Sequence, residues 1–111
     1  MTTLTETEFN DKMDDTIIAI EEALDELDEV DIDYETSGGI LTITLENGTK
    51  VIINRQTPLK QLWLAAKDGG YHLDWNNGQW QTDKDQESLE ALLDRVLSQQ
   101  AGEAVSLSLS Y

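Results

Sequence analysis

The chain has 111 residues, a formal net charge of -16 at pH 7 and no cysteine; this length suits a single domain and leaves no room for a second one. The lack of cysteine excludes disulfides, thiolate metal sites and thiol nucleophiles, and the negative charge disfavours nucleic acid and anionic membrane as partners while it favours cations and basic protein surfaces. No window approaches the ~18 apolar residues of a membrane span and no signal peptide is recognisable, so we expect a cytoplasmic protein.

The first third of the chain carries most of this charge. Residues 1–35 contain 14 of the 23 acidic residues and a single lysine. The density is highest in residues 21–35, EEALDELDEVDIDYE, where nine of fifteen residues are acidic and none is basic. This stretch is therefore the first candidate for a functional surface.

The segment from Thr5 to about Asp28 predicts an amphipathic helix. Thr5 and Glu8 have the spacing of a capping box, and Ile18 alone among the large apolar residues falls on the outer face. The apolar stripe recurs at steps of three and four and consists of Phe9, Met13, Ile17, Ile20, Leu24 and Leu27. The outer face places acidic residues four apart, and each such pair costs roughly 0.2–0.5 kcal/mol unless a cation or a basic partner neutralises it.

Three strands are predicted after this helix. Residues 31–36 alternate, with Ile32 and Tyr34 on one face and acidic residues on the other, which is typical of an edge strand. A turn at Ser37-Gly38-Gly39 leads into ILTITL, residues 40–45. The Asn47-Gly48 pair then predicts a hairpin into KVIINR, residues 50–55.

Three more strands are predicted to complete an antiparallel meander. Pro58 ends the third strand, and residues 58–66, PLKQLWLAA, form the fourth, with Trp63 facing solvent on the side opposite Leu62 and Leu64. Gly69-Gly70 is expected to turn into YHLDW, and residues 76–78 to turn into QWQT.

A second helix closes the predicted fold. Its apolar residues follow the helical template and are Leu89, Leu92, Leu93, Val96 and Leu97, and Gly102 lies beyond its end as a stop signal. Residues 105–111 alternate and predict an extended tail over apolar surface. The fold class is therefore α+β, a two-layer sandwich with two helices on one face of an antiparallel sheet of about six strands.

The sequence lacks the residues that most catalytic and metal sites require. The single histidine, His72, cannot form a histidine-based zinc or copper site, and nucleophile elbows and phosphate-binding loops are missing. The Asp31-x-Asp33-x-Glu35 run departs from an EF-hand loop at its sixth and twelfth positions. Aromatic residues other than Trp63 are expected to pack in the core or on the sheet, namely Tyr71, Trp75 and Trp80.

Two candidates remain, Trp63 and an acidic ridge. The acidic ridge is the set of carboxylates that runs from the first helix into the first strand: Asp11, Asp15, Glu21, Glu22, Asp25, Glu26, Asp28, Glu29, Asp31 and Asp33. A solvated surface is the simplest explanation of such a face, but the charges are of one sign and continue across an element boundary. Hard oxygen ligands on an open face suit Mg²⁺, Ca²⁺, Mn²⁺ or iron, held weakly.

Residues 38–80 carry a resemblance to a known family. The motifs are NRQ-x-P-L at residues 54–59, QLWLA at 61–65 and GGYHLD at 69–74, and an acidic first helix and a leucine-rich last helix flank them. Together they resemble the frataxin family, specifically its bacterial CyaY branch. The resemblance implies one frataxin-like domain over residues 1–111, with residues 105–111 as its tail.

The resemblance also implies a function. It predicts a non-enzymatic, monomeric iron chaperone that docks on the cysteine desulfurase and its scaffold assembly and regulates iron–sulfur cluster assembly, with iron donation as an open role. The acidic ridge would bind Fe²⁺ or Fe³⁺ weakly, with other cations able to substitute, and would face a basic surface of the desulfurase. A sheet-face contact with the assembly machinery would use Asn54, Arg55, Gln56 and Trp63. Asn10 stands where some relatives have a metal-binding histidine, so carboxylates would bind alone. An iron-oxidising or iron-storing protein remains the alternative.

Overall fold

The computed structural model describes residues 4–27, 32–76 and 78–109. It contains the two predicted helices and six predicted strands, so the predicted fold class is confirmed. The elements are α1 (Glu6–Asp25), β1 (Ile32–Ser37), β2 (Ile40–Leu45), β3 (Lys50–Gln56), a 3-10 turn (Thr57–Leu59), β4 (Gln61–Ala66), β5 (Gly69–Asn76), β6 (Gln79–Thr82) and α2 (Leu89–Ala101).

The six strands form one antiparallel sheet in the order of the chain, β1-β2-β3-β4-β5-β6. Short turns join neighbouring strands, and this is why sequence order and spatial order coincide. The β1–β2 turn is the two-residue loop Gly38-Gly39, whose positive φ angles of 60° and 79° match the twist of a hairpin. β1 and β6 are therefore the two edges of the sheet.

Several predicted boundaries were wrong by a few residues. α1 ends at Asp25 instead of about Asp28. Thr57–Leu59 forms a 3-10 turn instead of the start of β4, because Pro58 lacks the N–H that a strand ladder requires. Gly69 and Gly70 lie inside β5 instead of in the preceding turn, which falls at residues 67–68. Gly69 has a φ of 147°, a value that residues with a side chain rarely adopt.

The core lies between the inner face of the sheet and the two helices. Trp80 is fully buried at its centre, with its ring edge-on to Phe9 at 6.0 Å and to Trp75 at 5.3 Å. Its indole Nε1 donates to the hydroxyl of Thr16 at 2.9 Å, and that hydroxyl donates to the Lys12 carbonyl at 2.6 Å. The polar groups of this central cluster are thus satisfied without solvent.

The two ends of α1 differ in how well their charged residues suit the helix dipole. At its start the Thr5–Glu8 capping box forms as predicted, and the hydrogen bond from the Thr5 backbone lowers the pKa of Glu8. At its end the last turn carries acidic residues and no basic one. Negative charge there is unfavourable because the helix dipole has its negative pole at the C-terminus.

The tail packs along α2 as a ladder. Val105 and Leu107 are buried, and the backbone N–H groups of residues 105, 107 and 109 donate to Ser98, Asp94 and Glu90 at 2.8, 2.8 and 2.9 Å. Four helical residues rise about 6 Å and two extended residues about 6.6 Å, so the two spacings match. No helix in the described ranges is long and apolar enough to cross a membrane.

Candidate functional site

The outer face of α1 is a row of carboxylates without partners in the described part of the chain. The side chains of Asp11, Asp15, Glu22 and Glu26 are exposed, and their carboxylates form no hydrogen bond or ion pair with another described residue. Ile18 lies among them with 51% of its surface exposed. Since no basic side chain of the described chain neutralises this row, its charge is available to an external ligand.

A second flank of α1 faces β1 and is already engaged. The Glu21 carboxylate accepts a hydrogen bond from the Thr36 hydroxyl at 2.6 Å. The Asp25 carboxylate accepts from the Tyr34 hydroxyl at 2.9 and 3.0 Å, and this bond is the main reason why the pKa of Tyr34 is raised. We call Glu21 and Asp25 the helix-side row, because they lie over the inner side of β1.

The acidic side chains of β1 itself lie on the other side of the sheet. Tyr34 pairs with buried Ile43 and points towards the helices, so Asp33 and Glu35, its neighbours in the strand, point to the open face. Both are exposed. We call them the open-face row. Of the described ridge residues, Glu21 and Asp25 thus lie on the helix side of β1 and Asp33 lies on the open face, while the others lie on the outer face of α1, which we call the outer row.

Three predicted ridge residues lie outside the described residues, namely Asp28, Glu29 and Asp31. Within residues 4–27, 32–76 and 78–109, no group of three or more histidine or carboxylate side chains converges to hold a metal ion. The described carboxylates are suited to attract a hydrated cation, because hard cations accept a mixed shell of carboxylate and water oxygens. They do not form a rigid chelate.

Trp63 lies on the open face and is half-buried, because it rests on His72. The two rings are stacked, with centroids 4.3 Å apart and planes 14° from parallel. The indole Nε1 donates to Gln61 Oε1 at 3.0 Å, and Gln61 Nε2 donates to Asp74 Oδ1 at 3.1 Å. A shallow depression of about 190 Å³ beside the stack is lined partly by Ile52 and Ala65.

The expectation that Arg55 shares this open face was wrong. Strand alternation places Arg55 on the inner side of β3, after Ile53, where it donates to Asn10 Oδ1 at 3.0 Å and pairs with Asp14 at 2.7 Å. Its side chain is only 20% exposed. Arg55 therefore attaches α1 to the sheet, whereas Asn54 and Gln56 remain on the side of Trp63.

His72 is the residue of this site that sequence reasoning missed. The sequence excluded His72 as the centre of a histidine-based metal site, and the structure adds its stack with Trp63. Their direct pairing across β4 and β5 could have been found from the register of the two strands. On its other side His72 Nδ1 lies 4.0 Å from an Asp83 carboxylate oxygen.

Known proteins resemble this chain in sequence and structure. Residues 2–103 match the family described as frataxin-like domain. A frataxin from Psychromonas ingrahamii, studied within the CyaY protein family, is 38% identical, with a TM-score of 0.86 over 95% of this chain and 99% of that one. A trimeric frataxin from the yeast Saccharomyces cerevisiae, complexed with ferrous iron, is 26% identical, with a TM-score of 0.66 over 93% of this chain and 91% of that one.

Proposed function

Since the chain belongs to the frataxin-like domain family, as its motifs predicted, we propose that it is an iron-binding protein that docks on cysteine desulfurase and regulates iron–sulfur cluster assembly. The observation that carries the proposal is the outer row of α1, where four exposed carboxylates have no partner in the described chain. A surface of one charge sign that the protein leaves unneutralised is suited to a cation or to a basic protein.

Iron in this proposal is cargo and is held weakly. The described carboxylates offer hard oxygen ligands without a converging chelate, so binding is multiple, fast and shared with other divalent and trivalent cations. The yeast relative was solved with ferrous iron, which supports iron as the cargo metal here. Iron donation to the assembly machinery remains part of the proposal.

The partner contact combines long-range attraction with a local anchor. The ridge accelerates association with a basic surface because complementary charge raises the encounter rate. The Trp63–His72 stack lies on the open face of the sheet, away from the outer face of α1, and offers a preorganised aromatic contact, the type of side chain that dominates interface energies. The protein acts without turnover, as a regulator of the enzyme that it binds.

An iron-oxidising or iron-storing protein is the second candidate. The trimeric state of the iron-bound yeast relative favours it, while the lack of a converging metal cluster among the described residues argues against it. Catalytic Fe²⁺ oxidation coupled to assembly would support this candidate. Stoichiometric, reversible Fe²⁺ binding would support the regulator.

Association kinetics with purified desulfurase test the proposal. The ridge variant combines Asp15→Asn, Glu22→Gln and Glu26→Gln. The control combines Glu46→Gln, Asp85→Asn and Glu103→Gln, which removes the same charge from exposed residues without described side-chain partners. We expect the ridge variant to associate about tenfold more slowly at low salt and the control to change little. Equal rates for both variants, with or without Fe²⁺, would contradict docking through the ridge.

A further inference from the structure

The two edge strands of the sheet, β1 and β6, differ in whether other residues cover their outer backbone groups. The edge of β6 is covered, because the Thr82 N–H donates to the Glu87 carbonyl at 2.9 Å and Gln81 forms a bridge with Ser88. The edge of β1 has no such cover in the described chain, where β2 is the only strand that pairs with it. An uncovered edge presents unpaired backbone groups that can bind another strand.

The exposed backbone groups of β1 can be identified. β1 pairs with β2 without a bulge over six residues, and the two-residue turn makes Ser37 and Ile40 a hydrogen-bonded pair. Alternation then directs the N–H and C=O groups of Asp33 and Glu35 to β2. Those of Ile32, Tyr34 and Thr36 point away from the sheet. The edge therefore offers a regular set of donors and acceptors that have no partner among residues 4–27, 32–76 and 78–109.

Carboxylates flank this edge on both sides. The Thr36 and Tyr34 hydroxyls hold the helix-side row in place at 2.6–3.0 Å, and the open-face row projects from Asp33 and Glu35. The side chains of an added strand would alternate between the two rows. Lysine or arginine side chains are therefore favoured on both of its faces, because each face meets two negative charges.

A second copy of this chain is a poor occupant. Two β1 edges brought together would place the same carboxylates opposite one another, and like charges across strands are destabilising. Acidic side chains thus protect the edge from self-association, as charged residues do on other edge strands. The charge pattern selects a different chain with a basic extended segment.

From these observations we infer that the edge of β1 binds an extended, Lys/Arg-rich protein segment by strand addition. The inference rests on the proposed function for the basic nature of the partner and adds the binding mode. Backbone hydrogen bonds to Ile32, Tyr34 and Thr36 supply the geometry, and the two rows supply the selectivity for basic residues.

Amide hydrogen exchange tests this mode with an eight-residue peptide of the repeat Lys-Lys-Thr-Thr, which places lysines on both faces of an added strand. The control peptide has the same sequence and charge with D-residues at alternate positions, so it cannot form a regular strand. We expect the all-L peptide to slow exchange at the Tyr34 and Thr36 amides and to bind about tenfold or more tightly than the control, because about three backbone hydrogen bonds are lost in the control. Asp33 and Glu35 amides, already bonded to β2, serve as internal references.

A protein variant provides the matching test of charge. The double variant Asp33→Asn/Glu35→Gln should bind the all-L peptide several-fold more weakly than the parent protein. The control variant Glu46→Gln/Glu103→Gln should bind it with the affinity of the parent. Equal binding of both peptides without protection of Tyr34 and Thr36 would overturn strand addition. Failure of the peptide to bind, with desulfurase binding intact, would overturn the inference and leave the proposed function. If the peptide bound and protected the Tyr34 and Thr36 amides while the desulfurase did not bind, strand addition at β1 would be supported and the proposed function would be contradicted.

Discussion

The outer face of α1 and the open face of the sheet are built on opposite principles. On α1, four carboxylates repel one another and have no partner in the described chain. Around Trp63, the polar groups bond to each other, from the indole to Gln61 and from Gln61 to Asp74, and the ring is fixed on His72. The first surface gains stability from an external ligand, whereas the second is organised before any ligand arrives.

The largest effect is expected from a substitution that disrupts the Trp63 surface on the open face of the sheet. Trp63→Ala should raise the dissociation rate of the desulfurase–scaffold complex about 30-fold, because an aromatic anchor of this type contributes about 2 kcal/mol or more. Leu59→Ala is the control, since Leu59 is 60% exposed and does not line the depression beside Trp63. Surface plasmon resonance measures both rates. A dissociation rate unchanged in a folded Trp63→Ala protein would show that the open face is no interface.

A smaller effect is expected on the stability of the protein when carboxylates of the outer face of α1 are neutralised. The ridge variant Asp15→Asn/Glu22→Gln/Glu26→Gln should be more stable than the parent by roughly 1 kcal/mol, or about 3–6 °C in Tm, because like-charge pairs and acidic charge in the last helical turn are removed. Millimolar Mn²⁺ should raise the Tm of the parent more than that of the variant.

The control for this prediction is Glu46→Gln/Asp85→Asn/Glu103→Gln, measured by calorimetry at low and high salt. It removes the same charge outside α1, and its Tm should move little. If the two triple variants showed the same change in Tm, the overall charge would explain the effect, and repulsion within the α1 surface would not.

The smallest effect concerns the junction of α1 and β1. The hydrogen bond with Asp25 raises the pKa of Tyr34 above its ordinary value of 10.0. A group whose pKa is raised in the folded state adds stability below its unfolded pKa and loses it as pH rises through the folded value. Stability should therefore fall above about pH 10, and this fall should be smaller in Tyr34→Phe. Urea unfolding at pH 8 and pH 10.5 measures the difference, and identical pH dependence in both proteins would remove this role of Tyr34.

The fold could be predicted from sequence because its patterns are local. The capping box at Thr5, the apolar stripe of α1 and the alternation of each strand depend on neighbouring residues. The capping box and the stripe from Phe9 to Leu24 are confirmed, whereas Leu27 lies beyond the end of α1. The exceptions at Pro58 and Gly69 arise where one residue has special backbone geometry. Such positions shift a boundary by a few residues and leave the topology unchanged.

The site could be predicted only in part because it depends on register and on which side of a strand each residue occupies. Alternation along β3 was already visible in the sequence and would have separated Arg55 from Asn54. The stack of Trp63 on His72 required the pairing of β4 with β5. The separation of Glu21 and Asp25 from the outer row also required the position of α1 above β1, which no local pattern encodes.

The position of α2 in the chain has a consequence for biosynthesis. The whole sheet lies between the two helices in sequence, and the inner face of its later strands is completed only when residues 89–97 pack on it. A ribosome that adds about 5–20 residues per second would synthesise β6 about one second or a few seconds before α2 is complete. Until α2 packs, the part of the inner sheet face that it covers stays exposed, so the docking of α2 is the step that closes the core.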